Sequence, residues 1–159
     1  MKYPTKAKIN ISKNFMNDNY ILIYNNLIKL TRNKNLYNTN KQDIFYDRMI
    51  IFFFHLAFLL KIYKNRENKK NLQNFFDFCI RQIELSIREI GYGDVSVNKK
   101  MKDYANLLFS IIEIVDIWET LKNSKKISLI ADYINIDVHN DLFDFNLLVT
   151  LSIFGESPS

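Results

Sequence analysis

An all-α domain is the fold class this sequence predicts, on three observations. Two Pro and three Gly in 159 residues leave too few turn formers for many short strands. Apolar residues recur at helical intervals over several long windows. A hydrophobic fraction of 48%, with 13 Phe, 9 Tyr and one Trp, supplies a core and excludes disorder as the main state. A chain of this length forms one domain that buries roughly 70% of its unfolded surface.

Six helices follow in order. The first runs from about Asp18, a candidate cap, to Thr31, with Tyr20, Ile23, Tyr24, Leu27 and Leu30 on one face. The second, from about Asp43 to Tyr63, is apolar all round in its centre and is therefore the core helix. Its apolar run Met49–Leu60 is 12 residues, about 18 Å of helix against a hydrocarbon core of about 30 Å, too short to cross a membrane. The third, Asn71 to Ile90, carries Leu72, Phe76, Cys79, Ile83, Ile87 and Ile90 on one stripe, with Glu84 and Arg88 paired at i, i+4 on the other side. The fourth, from about Asn98 to Leu121, carries Met101, Tyr104, Ala105, Leu108, Ile112, Val115 and Trp118. After a polar break at Lys122–Lys126 come two shorter helices, Ile127 to Ile136 and Leu142 to Phe154, the last with Asp137, Asp141 and Asp144 near its start. The expected domain is 18–154, after a basic, flexible segment 1–17 and before a frayed tail 155–159.

Two of the three glycines, Gly91 and Gly93, fall between the third and fourth helices. Glycine adopts positive φ without steric penalty, so Gly91 reads as a helix stop and Gly93 as part of a tight turn. The next helix would then carry Lys99, Lys100 and Lys102 in its first turn, where the helix dipole disfavours cations. A binding surface for an anionic or acidic partner, beside free N–H groups, would compensate. The structural alternative is turn chemistry, with Asp94 accepting backbone N–H bonds and Arg88 satisfying the last carbonyls of the preceding helix.

Charge is uneven. Residues 1–70 carry 14 Lys and Arg against 4 Asp and Glu, or +10, whereas 71–159 carry 8 against 13, or −5. The halves attract. The cluster Lys61, Lys64, Arg66, Lys69 and Lys70 reads as a solvated stretch between helices, or as a contact with a membrane surface, RNA or an acidic protein.

Reactive constellations are lacking. Cys79 is the single cysteine, so no internal disulfide or thiolate cluster forms, and a reduced compartment is expected. On an apolar stripe it reads as a buried, inert thiol. Neither His55 nor His139 has a ligating residue at i+3 or i+4, and His55 reads as a satisfied core histidine. No phosphate-loop, nucleophile-elbow or zinc-protease motif occurs. The first residues, MKYPTKAKINISKNF, lack an apolar run and arginine and make a poor secretory or transit signal.

The run REIGYGDVSVNKKMK resembles the signature of the ubiquinol-cytochrome c chaperone family, assembly factors for cytochrome b of the respiratory bc complex. Upstream, Tyr24, Arg32, Leu36-Tyr37, Asp47-Arg48 and His55-Leu56 stand in the order of that family's pattern, and the likeness covers about Tyr20 to Trp118. The matching positions are Arg48, His55, Arg88, Glu89, Gly91, Gly93, Asp94, Val97, Lys99 or Lys100, Met101 and Lys102. The chain departs from the pattern at 38–43, where relatives carry a Gly-x-Pro-Asp-like turn, and in its C-terminal third.

The resemblance implies a non-enzymatic chaperone without cofactor or metal that receives newly made cytochrome b. Its partner-binding residues would be Arg48, Arg88, Glu89, Gly91, Gly93, Asp94, Lys99, Lys100, Met101 and Lys102. It also implies a second small assembly factor, a ribosome contact and peripheral association with the bacterial inner membrane, or the matrix side in mitochondria, and no DNA. The rival reading is a small basic RNA-binding or ribosome-associated protein using Lys99, Lys100, Lys102 and the Lys61–Lys70 stretch, with steep salt dependence.

Overall fold

The computed structural model describes residues 20–32, 45–65 and 68–134. Among them are five α-helices and no strand: α1 (Tyr20–Thr31), α2 (Phe45–Tyr63), α3 (Lys69–Glu89), α4 (Asp94–Asp116) and α5 (Asn123–Ile134), with a 3-10 turn at Trp118–Thr120 before α5. The expected sixth helix at 142–154, the Asp18 cap and the segment 38–43 lie outside the described residues.

Helix α2 has no polar face over its middle, and the fold follows from that. Every residue from Met49 to Leu59 is buried, and Phe53, Phe54 and Phe58 are completely so. Each such side chain contributes roughly 1.5–3 kcal/mol of burial, so α2 must be covered on all sides. The close backbone approaches run α1–α2, α2–α4, α4–α3 and α3–α1, a closed cycle of four helices, and α5 adds to the outside of α2. Aromatic edges fill the joints. Tyr24 meets Phe52 and Phe78, Phe53 meets Tyr104, and Phe54 meets Tyr133.

The other helices bury one stripe each. On α1 the buried positions are Ile23, Leu27 and Thr31. On α3 they are Phe75, Cys79, Ile83 and Ile87, spaced by four, with Leu72 and Phe76 half-buried beside them. The sequence stripe missed Phe75 and extended too far, since Ile90 lies past the last helical turn and is exposed. Helix α3 starts where the Asn68 carboxamide accepts the Lys70 N–H at 2.8 Å, an N-cap.

Two boundaries differ from expectation, each for its own reason. Helix α4 stops at Asp116 rather than Leu121, and the chain tightens into the 3-10 turn that sets the Trp118 indole against Phe54 and Phe58. Helical spacing alone cannot distinguish that turn from another helical turn. The carbonyls left over at the end of α4 are met by Lys61 of α2. Its ammonium donates to the Val115 carbonyl at 2.7 Å and the Asp116 carbonyl at 3.2 Å, and pairs with Glu119. Lys61 thus belongs to a helix C-cap, with a cation at the negative end of the dipole, and not to a solvated cluster. The break expected at Lys122–Lys126 lies earlier, at 117–122, and residues 123–126 are helical. The Lys122 carbonyl accepts the Lys125 and Lys126 N–H groups, and α5 begins at Asn123. Polarity does not break a helix, and lysine is a good helix former.

His55 is fully buried in α2, and its Nδ1 lies 2.7 Å from the Ile51 carbonyl. A carbonyl only accepts, so Nδ1 carries the hydrogen. Burial lowers the imidazole pKa to about 4, partly opposed by this hydrogen bond.

Two predictions follow from these contacts. Between its ordinary pKa of 6.5 and about 4, His55 binds a proton in the unfolded chain but not in the folded one, so stability falls as pH falls through that window. From pH 7 to pH 5 the loss is about 2 kcal/mol, read as a shift of the urea midpoint, and His55→Leu is expected to flatten this dependence. Lys61→Met keeps the buried stem but removes the cap, and is expected to cost about 1–2 kcal/mol by the same measurement.

Candidate functional site

The corner between α3 and α4 begins with a glycine in a conformation other residues rarely adopt. Gly91 has φ +104°, and its N–H donates to the Arg88 carbonyl at 2.9 Å, which ends α3. Gly93 differs: it is extended, at φ −70° and ψ 160°, and its carbonyl accepts the Val97 N–H at 2.9 Å to open α4. Only the first of these needs glycine. Between them Tyr92 is partly exposed, and the Lys100 ammonium sits 4.5 Å from its ring centroid.

Arg88 locks the corner. Its Nε and Nη2 donate to Glu84 Oε1 at 3.0 and 2.9 Å, and its Nη1 donates to Asp94. One guanidinium therefore ties the last turn of α3 to the first turn of α4. The bonds to Asp94 and then Glu84 raise its already high pKa, so the charge is permanent. This corrects the turn chemistry read from sequence: Arg88 and Asp94 bond each other, and Gly93 at the N-cap has no side chain to offer.

The lysines are also placed differently. Because α4 starts at Asp94, Lys99 and Lys100 fall in its second turn and Lys102 beyond it, and the first turn holds a carboxylate that suits the dipole. No cation occupies the helix start. Lys99 and Lys102 are exposed, whereas Lys100 is half-buried on Tyr92. Val97 is fully buried and Met101 packs half-buried against the core, so these two positions hold α4 in place. Glu89 is exposed at the end of α3.

Arg48 does not join this group. It lines a cleft of about 330 Å³ between α1, α2 and α3, with Tyr24, Arg32, Met49, Phe52, Ile83 and Ser86 among its walls. Ser86 and Arg88 are about 200° apart around α3, so the cleft and the Arg88 fork occupy different sides of that helix. Cys79 is buried, and burial raises its thiol pKa far above the ordinary value, so it holds its proton. No described helix is long and apolar enough to cross a membrane.

Sequence reasoning missed two exposed apolar side chains on α4, one beside the corner and one about 21 Å farther along the helix. Val95 is 86% exposed and Phe109 is 54% exposed, the latter stacked on Phe76 with centroids 6.3 Å apart. Phe109 follows Leu108, which helical spacing places on the buried stripe, and the structure shows Leu108 fully buried and Phe109 turned outward.

The chain belongs to the ubiquinol-cytochrome C chaperone family, whose model matches residues 38–117 and so takes in all of α2, α3 and α4. No curated protein and no solved structure matches it.

The two glycines make opposite predictions. Neither has an atom within 4 Å of an added Cβ, so backbone conformation alone decides the outcome. Gly91→Ala is expected to destabilise by about 1–3 kcal/mol. Gly93→Ala gains chain stiffness and loses some N-cap preference, and is expected to stay within about 0.5 kcal/mol of the parent in thermal or urea unfolding.

Proposed function

We propose that this protein is a non-enzymatic assembly chaperone that binds newly made cytochrome b and supports assembly of the ubiquinol-cytochrome c reductase complex. Membership of the chaperone family carries this reading, since the matched segment is the central helix together with the whole α3–α4 hairpin. The corner is the part of that segment free to meet a client. Its backbone is held by Gly91 and the Arg88 fork, and its outer residues Lys99, Lys102 and Glu89 are exposed. Arg88, Gly91, Gly93, Asp94, Val97 and Met101 set the shape of the surface, and Lys99, Lys100 and Lys102 supply its charge. A rigid surface with exposed charge at its edge binds without ordering cost and steers encounter.

The RNA-binding alternative loses support from the same geometry. Lys61 is spent on the end of α4 and Lys100 lies on Tyr92, which leaves fewer cations for phosphate than the sequence suggested. A peripheral position at the membrane, and a small partner protein, are compatible with this reading.

Deleting the gene is expected to lower the amount of assembled bc complex, measured as haem-loaded cytochrome b in solubilised membranes by difference spectroscopy and native electrophoresis. Unchanged cytochrome b would exclude the role.

A further inference from the structure

The outer face of α4 presents a pattern that the core does not use and that extends well beyond the corner. Val95, Lys99, Lys102, Asn106 and Phe109 are all exposed. At about 100° per residue they fall within about 40° of one line along the helix. Val95 and Phe109 stand at the two ends, separated by 14 residues, or about 21 Å. The lysines lie between them, Lys99 nearer Val95 and Lys102 midway. Among the described residues neither lysine is in an ion pair, and Phe109 is already ordered by its stack on Phe76. Asp103 lies to one side of the line, about 80° round, and Glu113 continues it beyond Phe109.

From this we infer that the α4 face is where the client docks, and that the client contributes an amphipathic helix. This rests on the chaperone reading above and names the surface and the partner chemistry. The complement of the stripe is an apolar anchor for Val95, a pair of carboxylates for Lys99 and Lys102, and a second apolar anchor about 21 Å on for Phe109. A cation beyond it would meet Glu113. The Lys99 partner sets direction: a reversed helix would carry that carboxylate opposite Asn106, away from Lys99, while the carboxylate at Lys102, midway between the anchors, would stay in place. An isolated lipid surface has no such order.

The test uses the full chain in cells that make epitope-tagged cytochrome b. A photo-crosslinking benzoylphenylalanine is placed in turn at Val95, Lys99, Lys102, Asn106 and Phe109, and at the exposed residues Asn26 on α1 and Asp132 on α5. Cytochrome b adducts are expected from the five α4 positions and not from the two controls. The double variant Lys99→Glu with Lys102→Glu is expected to lower adduct yield through position 109 by about tenfold, the loss of about 1.4 kcal/mol of attraction. Because these side chains are exposed, the variant's thermal midpoint should match the parent's. Adducts from Asn26 or Asp132 alone, or a yield indifferent to charge reversal, would overturn the assignment of this face while leaving the chaperone role standing. Preferential crosslinking of the α4 positions to phosphatidylglycerol vesicles would overturn it in favour of a lipid surface. Cytochrome b adducts from no position would overturn the chaperone reading itself.

Discussion

The burial of α2 on every side is the constraint on which this structure depends. A helix that is apolar around its whole circumference cannot lie on a surface, so α1, α4 and α5 take their positions by covering it, and α3 closes the bundle between α1 and α4. Phenylalanines make this covering possible because their edges meet the rings of Tyr24, Tyr104 and Tyr133 from three different helices and of Trp118 from the 3-10 turn. The single polar group at the centre, His55, is accommodated by bonding within its own helix and by staying neutral.

From that core, order is transmitted to the exposed face of α4 by a short chain of contacts. Val97 and Leu108 are fully buried and fix the rotation of α4 about its axis, which in turn turns Val95, Lys99, Lys102 and Phe109 outward. Arg88 fixes the angle at which α4 leaves α3, and Lys61 holds its far end. Both ends of the same helix are therefore tied by long cationic side chains from neighbouring helices, one at each terminus. A surface prepared this way resembles the pre-ordered faces that bind a partner segment with little entropic loss. The family match and the tied helix coincide, since residues 38–117 take in α2, α3 and α4.

Much of the fold could be read from the chain. The start and end of α2 and α3 fall within two residues of those expected, because long apolar runs and the Asn, Gly and Lys residues at their ends carry strong local signals. The corner was legible because glycines are scarce here and Gly91 truly requires positive φ. The candidate site was legible only as a set of residue types. Nothing local indicated that Arg88 would reach across to Asp94, that Lys100 would lie on Tyr92, or that Arg48 would face a separate cleft.

Residue order alone determined the helical class, the identity of the core helix, the place of the corner and the likeness to a chaperone family, since each depends on spacing along the chain. Tertiary structure decided the partners of the charged groups. Lys61 is a solvated cation by sequence and a helix cap in space, because the carbonyls it meets at Val115 and Asp116 come from a distant part of the chain. Val95 and Phe109 are apolar by sequence and exposed in space, because the rotation of α4 is set by what α2 and α3 need to bury. Local spacing specifies which residues share a helix face; only packing specifies which face is left for a partner.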